Sequence, residues 1–217
     1  MHIFEGLLSA TPAGQAVLLG GAAVATLGTA VGLYRLDDEQ IPKTAVLSSA
    51  FFIASLIQVP LYGTSVHLLL GGLMGLVLGW SAFPAVLTAL VLQAAFFQIG
   101  GFTTLGVNTV TMALPAVVCY YLFRFAVGGS RPPVVFAAGF LAGMTATLLG
   151  ALILAAILIL AGKQFQLVGE VSLLAHLPIA LVEGMVTGSV VVLLRKVRPE
   201  MLGSLPLAPA VQEAWDG

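Results

Sequence analysis

The chain has 217 residues, 59% of them hydrophobic and 8% charged, with a formal net charge of -1 and a mean hydropathy of +1.10. A soluble domain carries roughly a quarter charged residues, so this chain lacks the polar surface to face water and reads as an integral membrane protein. Its charge balance excludes a basic nucleic-acid binder, and a single cysteine, Cys119, excludes a disulfide framework or a cysteine-rich metal site.

A spanning helix needs about 20 mostly apolar residues, because in lipid the backbone must satisfy its own hydrogen bonds. The first such run is 13–34, ended by Arg35 and the acidic stretch Asp37, Asp38, Glu39, which reads as a solvated loop. The second is 44–61, bounded by Pro42 behind and by Pro60 and Gly63 ahead. The block from 65 to 99 is too long for one crossing, and Gly79-Trp80-Ser81 divides it into helices over 65–79 and 81–98. Runs over 105–127, with Pro115 as a kink, 133–162 and 172–194 complete the set. The fold expected is an all-α integral membrane protein, a compact bundle of about seven transmembrane helices.

Arg35, Lys43, Arg124, Arg131, Arg195, Lys196 and Arg198 fall on one side of such a bundle, and Lys163 alone on the other. The bias of Lys and Arg toward the cytoplasm then puts the N-terminus outside and the C-terminus inside, in a bacterial or archaeal cytoplasmic membrane. One membrane domain over 1–196 would carry an N-terminal segment 1–12 and be followed by a cytoplasmic tail 197–217. The first residues do not read as a secretory signal, since no basic region precedes an apolar run long enough to remain as an anchor. With a large residue second, Met1 is expected to stay and to present a free amino group outside.

Small residues recur at helical spacing: Gly21, Ala25, Gly28 and Gly32; Gly71, Gly75 and Gly79; Gly139 with Gly143; Gly184 with Gly188. Such stripes let helix backbones approach closely. Contact within the bundle is the first reading of them, docking of a partner subunit the second.

Polar groups within a membrane domain are costly and few, here His2, Glu5, His67, Asn108, His176 and Glu183. No phosphate-binding Gly-x-x-x-x-Gly-Lys-Ser/Thr loop, His-Glu-x-x-His helix or Gly-x-Ser-x-Gly elbow occurs, so an enzyme is not indicated. His2 offers more than one imidazole. The Met1 amine, the His2 amide and His2 Nδ1 can close adjacent five- and six-membered chelate rings, and a fourth nitrogen would complete the planar set suited to Ni(II) or Cu(II). His67 is a candidate for it, placed by a Thr64 or Ser65 cap in the first turn of the third helix, where the dipole favours a neutral ring. Glu183, near the middle of the last span, is expected to be protonated or held by amide donors from Asn108 or the N-terminal segment, supporting the site or anchoring a loop, with a structural interhelical hydrogen bond as the other reading. His176, seven residues earlier and close to the outer surface, reads as structural. Glu5 could orient an imidazole N–H, and Asn108 could cap the fifth helix or brace His67.

Met1-His2-Ile3-Phe4-Glu5-Gly6, Gly63-Thr64-Ser65-Val66-His67-Leu68, Gly100-Gly101-Phe102-Thr103-Thr104-Leu105-Gly106-Val107-Asn108 and Glu183-Gly184 resemble the CbiM/NikM proteins from Met1 to about Arg195. These are substrate-binding membrane subunits of energy-coupling-factor transporters for nickel and cobalt. The resemblance implies Met1, His2 and His67 as metal ligands, an N-terminal segment inserted into the bundle, and Ni(II) or Co(II) as transported substrate with no organic cofactor. It also implies cytoplasmic ATPase subunits, a coupling transmembrane subunit and a small accessory membrane subunit. Ile99 and Phe4 depart from the histidine and proline that many relatives carry at those places. A vitamin-binding subunit of the same transporter class, an intramembrane metalloenzyme built on His67, His176 and Glu183, and a purely structural membrane partner are the alternatives.

Overall fold

The computed structural model describes residues 1–61 and 64–203. After an irregular N-terminal segment, Thr11 caps the first helix by accepting from Gly14 N–H at 3.0 Å, with Pro12 in the first turn. The elements that follow are α1 (Pro12–Tyr34), α2 (Ile41–Leu56), β1 (Gln58–Leu61), β2 (Thr64–His67), α3 (Gly71–Leu78), α4 (Ala82–Phe97), α5 (Leu105–Val127), α6 (Pro132–Ala161) and α7 (Gln166–Val197). The chain is thus mostly helical, and five of its runs are long and apolar enough to cross a membrane. At 16 residues, α2 reaches about 24 Å, less than the ~30 Å hydrocarbon thickness.

Residues 57–70, expected to lie largely in two helices, depart from the sequence reading. Val59 precedes Pro60, which disfavours helical backbone at that position, and Thr64, Val66 and Val59 suit a strand. β1 and β2 pair antiparallel with Gln58 opposite His67 and Leu61 opposite Thr64. Every residue of β2 is buried. Non-helical backbone at membrane depth is tolerated where protein covers it, and here the N-terminal segment supplies the cover through an antiparallel bridge from Ile3 to Thr64.

The break expected at Gly79-Trp80-Ser81 is a turn of 3-10 helix between α3 and α4. Gly71–Phe97 is one apolar run by length, yet it folds back. Gln93, well along α4, bonds His2, and His2 lies against His67, just ahead of α3. The chain leaves this region along α3, turns at Gly79–Ser81 and returns along α4.

The glycine stripes pack within the bundle. A Cβ on Gly143 would fall 2.5 Å from the Glu183 carbonyl oxygen, and one on Gly28 would fall 2.4 Å from the Phe83 ring. α6 and α7 form the most extensive helix pair through the first of these contacts. Large apolar side chains such as Leu19, Leu27, Leu160 and Leu181 point outward, as a lipid-facing surface requires.

The two ends of the bundle differ in charge. Thr11 donates to the Ala161 carbonyl at 2.9 Å, which puts the N-terminal segment beside the α6–α7 turn and Lys163. At the far end the Arg35 guanidinium stands 5.6 Å over the Trp80 ring, Trp80 Nε1 donates to the Tyr121 hydroxyl at 2.9 Å, and Arg195 donates to the Gly129 carbonyl at 3.1 Å.

Candidate metal centre

The N-terminal segment enters the bundle as a third strand-like element. Met1, His2 and Ile3 are all completely buried. The His2 carbonyl accepts from Thr64 Oγ1 at 2.8 Å and from Ser65 N–H at 3.2 Å. Asn108 grips the next peptide from the other side: its Oδ1 accepts from Ile3 N–H at 2.8 Å, and its Nδ2 donates to the Ile3 carbonyl at 3.1 Å and to Thr104 Oγ1 at 3.2 Å. This is the accounting a buried backbone demands. Farther out, Glu5 N–H donates to the Gly100 carbonyl at 2.7 Å, and the Glu5 carboxylate accepts from Thr103 Oγ1 at 2.5 Å and Thr103 N–H at 3.2 Å.

Two glycines admit this approach. Gly101 has a φ of +142°, and a Cβ there would fall 1.7 Å from Glu5 Oε2. Gly150 in α6 makes room for the first side chain, since its Cβ would lie 2.8 Å from Met1 Cε.

The imidazoles of His2 and His67 face each other with centroids 4.6 Å apart at 31°. His67 Nδ1 donates to the Leu68 carbonyl at 3.0 Å, because a carbonyl can only accept. Its Nε2 therefore carries the lone pair, and that atom is buried without a partner. The Met1 amine shares the region. Burial pushes it well below the ordinary amine range, opposed by attraction to Glu183. Burial and then the neighbouring amine lower His2 to about 3 and hold His67 well below the usual imidazole value. Burial thus disfavours the charged form of all three nitrogens.

These shifts make insertion of the segment pH-dependent. Released into water, the amine and imidazoles titrate near their ordinary values of about 8 and 6.5, whereas the inserted groups stay neutral. The released state then binds more protons, so insertion is fully favoured above pH ~8 and weakens as pH falls toward the lowered values. At pH 5, His2 alone costs about 2 kcal/mol, from 1.36 kcal/mol per unit below 6.5. Hydrogen exchange on the metal-free protein should show residues 1–5 losing protection between pH 8 and pH 5 while α6 keeps it; unchanged protection of both contradicts this coupling.

Several expected roles are corrected. His67 sits at the end of β2, not in the first turn of a helix, so the packed hairpin positions it and a helix dipole does not. Thr64 and Ser65 hold the His2 carbonyl instead of capping a helix. Asn108 holds Ile3 and does not brace His67, and Glu5 bonds Thr103 and no imidazole. Glu183 takes its amide donors from the turn after His67: Oε1 accepts from Leu69 N–H and, at 2.8 Å, from Leu70 N–H. That satisfies backbone donors at the start of α3, and Oε2 is buried with no partner. His176 is completely buried. Its Nδ1 donates to the Ser172 carbonyl at 2.6 Å and its Nε2 has no partner.

Sequence reasoning passed over Gln93, whose Oε1 lies 2.9 Å from His2 Nε2. Gln93 is fully buried in α4, and a single amide in a largely apolar helix gave no sequence signal for this. Among the described residues no three side chains of His, Cys, Asp or Glu gather as a metal-holding group.

The family profile CbiM, described as cobalt uptake substrate-specific transmembrane region, matches residues 2–201. The chain belongs to the CbiM family. It is 41% identical over 207 residues to a metal transport protein of Haemophilus influenzae, covering 93% of this chain and 97% of the relative. It is 32% identical to a fused nickel transport protein NikMN of Archaeoglobus fulgidus, covering 93% of this chain and 68% of the relative. A crystal structure of a transition metal transporter superposes with a TM-score of 0.70 at 28% identity, covering 91% of this chain and 93% of that one. This CbiM-family chain is therefore a multi-pass membrane protein of cobalt/nickel uptake, a transport component and not an enzyme.

Proposed function

We propose that this protein captures Ni(II) or Co(II) outside the cell in a nearly planar set of four nitrogens: the Met1 amine, the His2 amide, His2 Nδ1 and His67 Nε2. The observation that carries the reading is the complete burial of Met1 and His2 with the His2 ring against His67, whose Nε2 is unpartnered. Amine and amide nitrogens close a five-membered ring on the ion, amide and Nδ1 a six-membered one, and planarity follows from sharing the amide. That geometry suits a metal with strong planar preference and leaves little for Mg(II) or Ca(II), which demand oxygen donors. Zinc is disfavoured by its tetrahedral habit. Burial already disfavours the protonated amine and imidazoles, and the His2 amide must lose its proton when the ion binds.

The site end of the bundle faces outward in this reading. The far end carries Arg35, Arg124 and Arg195, which the positive-inside bias assigns to the cytoplasm. Residues 1–196 form one membrane domain with segment 1–12 as the chelating arm; most of the proposed tail, from 204 onward, lies outside the described residues. Uptake is driven by ATP hydrolysed on separate cytoplasmic subunits through a coupling membrane subunit, as in energy-coupling-factor importers, with a small accessory membrane subunit alongside. A fused NikMN relative supports such partner components.

The vitamin-binding alternative loses support because Met1, His2 and Ile3 fill the interior an organic ligand would take. The metalloenzyme alternative loses support because, among the described residues, His67, His176 and Glu183 do not gather as a metal-holding group. His67→Ala is the direct test in the purified protein. Removing one of four donors should weaken Ni(II) binding about 100-fold, on a total of ~10–16 kcal/mol for a four-ligand site, without unfolding the helices. Unaltered affinity with the His67 ring removed rejects this ligand set.

A further inference from the structure

His2 can carry its ring proton on either nitrogen, and only one choice serves a chelate that begins at the amine. The imidazole must present a lone pair on Nδ1, the nitrogen nearer the backbone, so the proton must sit on Nε2. A chain of buried hydrogen bonds decides between the two. Ser55 Oγ has two backbone acceptors in reach, the Phe51 carbonyl at 2.6 Å and the Phe52 carbonyl at 3.1 Å, and its one proton goes to them. Ser55 Oγ must then accept from Gln93 Nε2, with which it is in hydrogen-bond contact. The other amino proton of Gln93 goes to the Phe52 carbonyl at 3.2 Å. With both partners of that end acting as acceptors, the amide cannot be reversed without setting its oxygen against the Phe52 oxygen. Gln93 Oε1 therefore faces His2 Nε2, 2.9 Å away, and an amide oxygen has no proton to give. His2 Nε2 must donate. On the remaining side Ser65 Oγ stands 3.4 Å from Nδ1, placed to donate weakly to a lone pair there.

We infer that Gln93, held by Ser55 and the Phe52 carbonyl, is a positioning residue that locks His2 in the Nε2–H tautomer and so keeps Nδ1 open for the metal. Ser55, Gln93 and His2 are all fully buried, so water cannot replace a missing partner and the preference is not averaged away. His67 is locked in the opposite sense by the Leu68 carbonyl. The two rings thus keep unlike nitrogens unprotonated, His2 its Nδ1 and His67 its Nε2. Orienting partners of this kind are worth about 10- to 100-fold in metal affinity.

The inference rests on the planar reading for its consequence, but its direct test needs no metal. Nitrogen chemical shifts of the His2 ring in the metal-free, membrane-embedded protein should report a protonated Nε2 and an unprotonated Nδ1. Gln93→Met, similar in size but without an acceptor, should let the Nδ1–H form appear and weaken Ni(II) binding about 10- to 100-fold. Gln93→Glu should restore both, since one acid oxygen still accepts from Nε2 while the protonated one donates to Phe52. A wild-type protein with its proton on Nδ1, or a Gln93→Met protein with an unchanged tautomer, overturns the inference. The wild-type spectrum decides the point even if the Met variant does not fold. Ni(II) bound without His2 Nδ1, in a protein that shows the Nε2–H tautomer, would contradict the planar ligand set and uphold the role of Gln93.

Discussion

Adding a short extension before Met1 should abolish Ni(II) binding and uptake, whereas the same residues placed after Gly217 should leave both intact. The extension converts the terminal amine into an amide, a far poorer donor, and breaks the five-membered ring that positions the His2 amide for deprotonation. It also has nowhere to go, because Met1 is completely buried and its side chain lies against Gly150. Loss of one donor from a four-nitrogen site costs about 3 kcal/mol on the scale of such sites, and the steric eviction of the segment adds to it. Binding should fall by more than about 100-fold. Calorimetric titration of the two tagged proteins measures this; equal affinity would mean that the amine is not a ligand.

The second large effect is expected far from any ligand atom, at Asn108. Its side chain accepts from Ile3 N–H and donates to the Ile3 carbonyl, doing for the inserted segment what a neighbouring strand does in a sheet. Asn108→Leu keeps the volume and removes both bonds, leaving a buried N–H and C=O unpaired. Each such group costs about 1–3 kcal/mol, so the inserted state should lose about 2–6 kcal/mol relative to the released one. The helices should persist, because Asn108 lies in the first turn of α5 and its loss does not open the α6–α7 contact. Proteolysis within residues 1–11 and a loss of Ni(II) affinity should appear together. A resistant N-terminus in Asn108→Leu would show that β2 and the Glu5 contacts to Gly100 and Thr103 hold the segment without Asn108.

The helical parts of the fold were legible because apolar length and breakers are local signals. Gly79-Trp80-Ser81 interrupts its apolar block where the glycine and the aromatic said it would, and the glycine stripes close against neighbouring helices. Strands β1 and β2 were not legible by the same rule, because the partner that covers their hairpin is more than fifty positions away: Thr64 Oγ1 and Ser65 N–H both donate to the His2 carbonyl. Without that partner, Thr64 and Ser65 look like a helix cap.

The site divides in the same way. Met1, His2 and His67 could be singled out from donor chemistry, and the structure brings their residues together. What each polar side chain does there could not be read from spacing. Glu183 was expected to take amide donors, yet the donors belong to Leu69 and Leu70. Gln93 went unnoticed because one amide in an apolar helix carries no pattern, and its meaning depends on where Ser55, Phe52 and His2 place their protons.

The central claim is that the terminus, one backbone amide and two imidazoles share a single ion in a plane. X-ray absorption at the nickel edge of the purified, loaded protein tests it most directly. The account predicts four nitrogen neighbours, with the edge features of a planar ion and a diamagnetic Ni(II) centre. A six-coordinate, paramagnetic nickel with oxygen neighbours would contradict it.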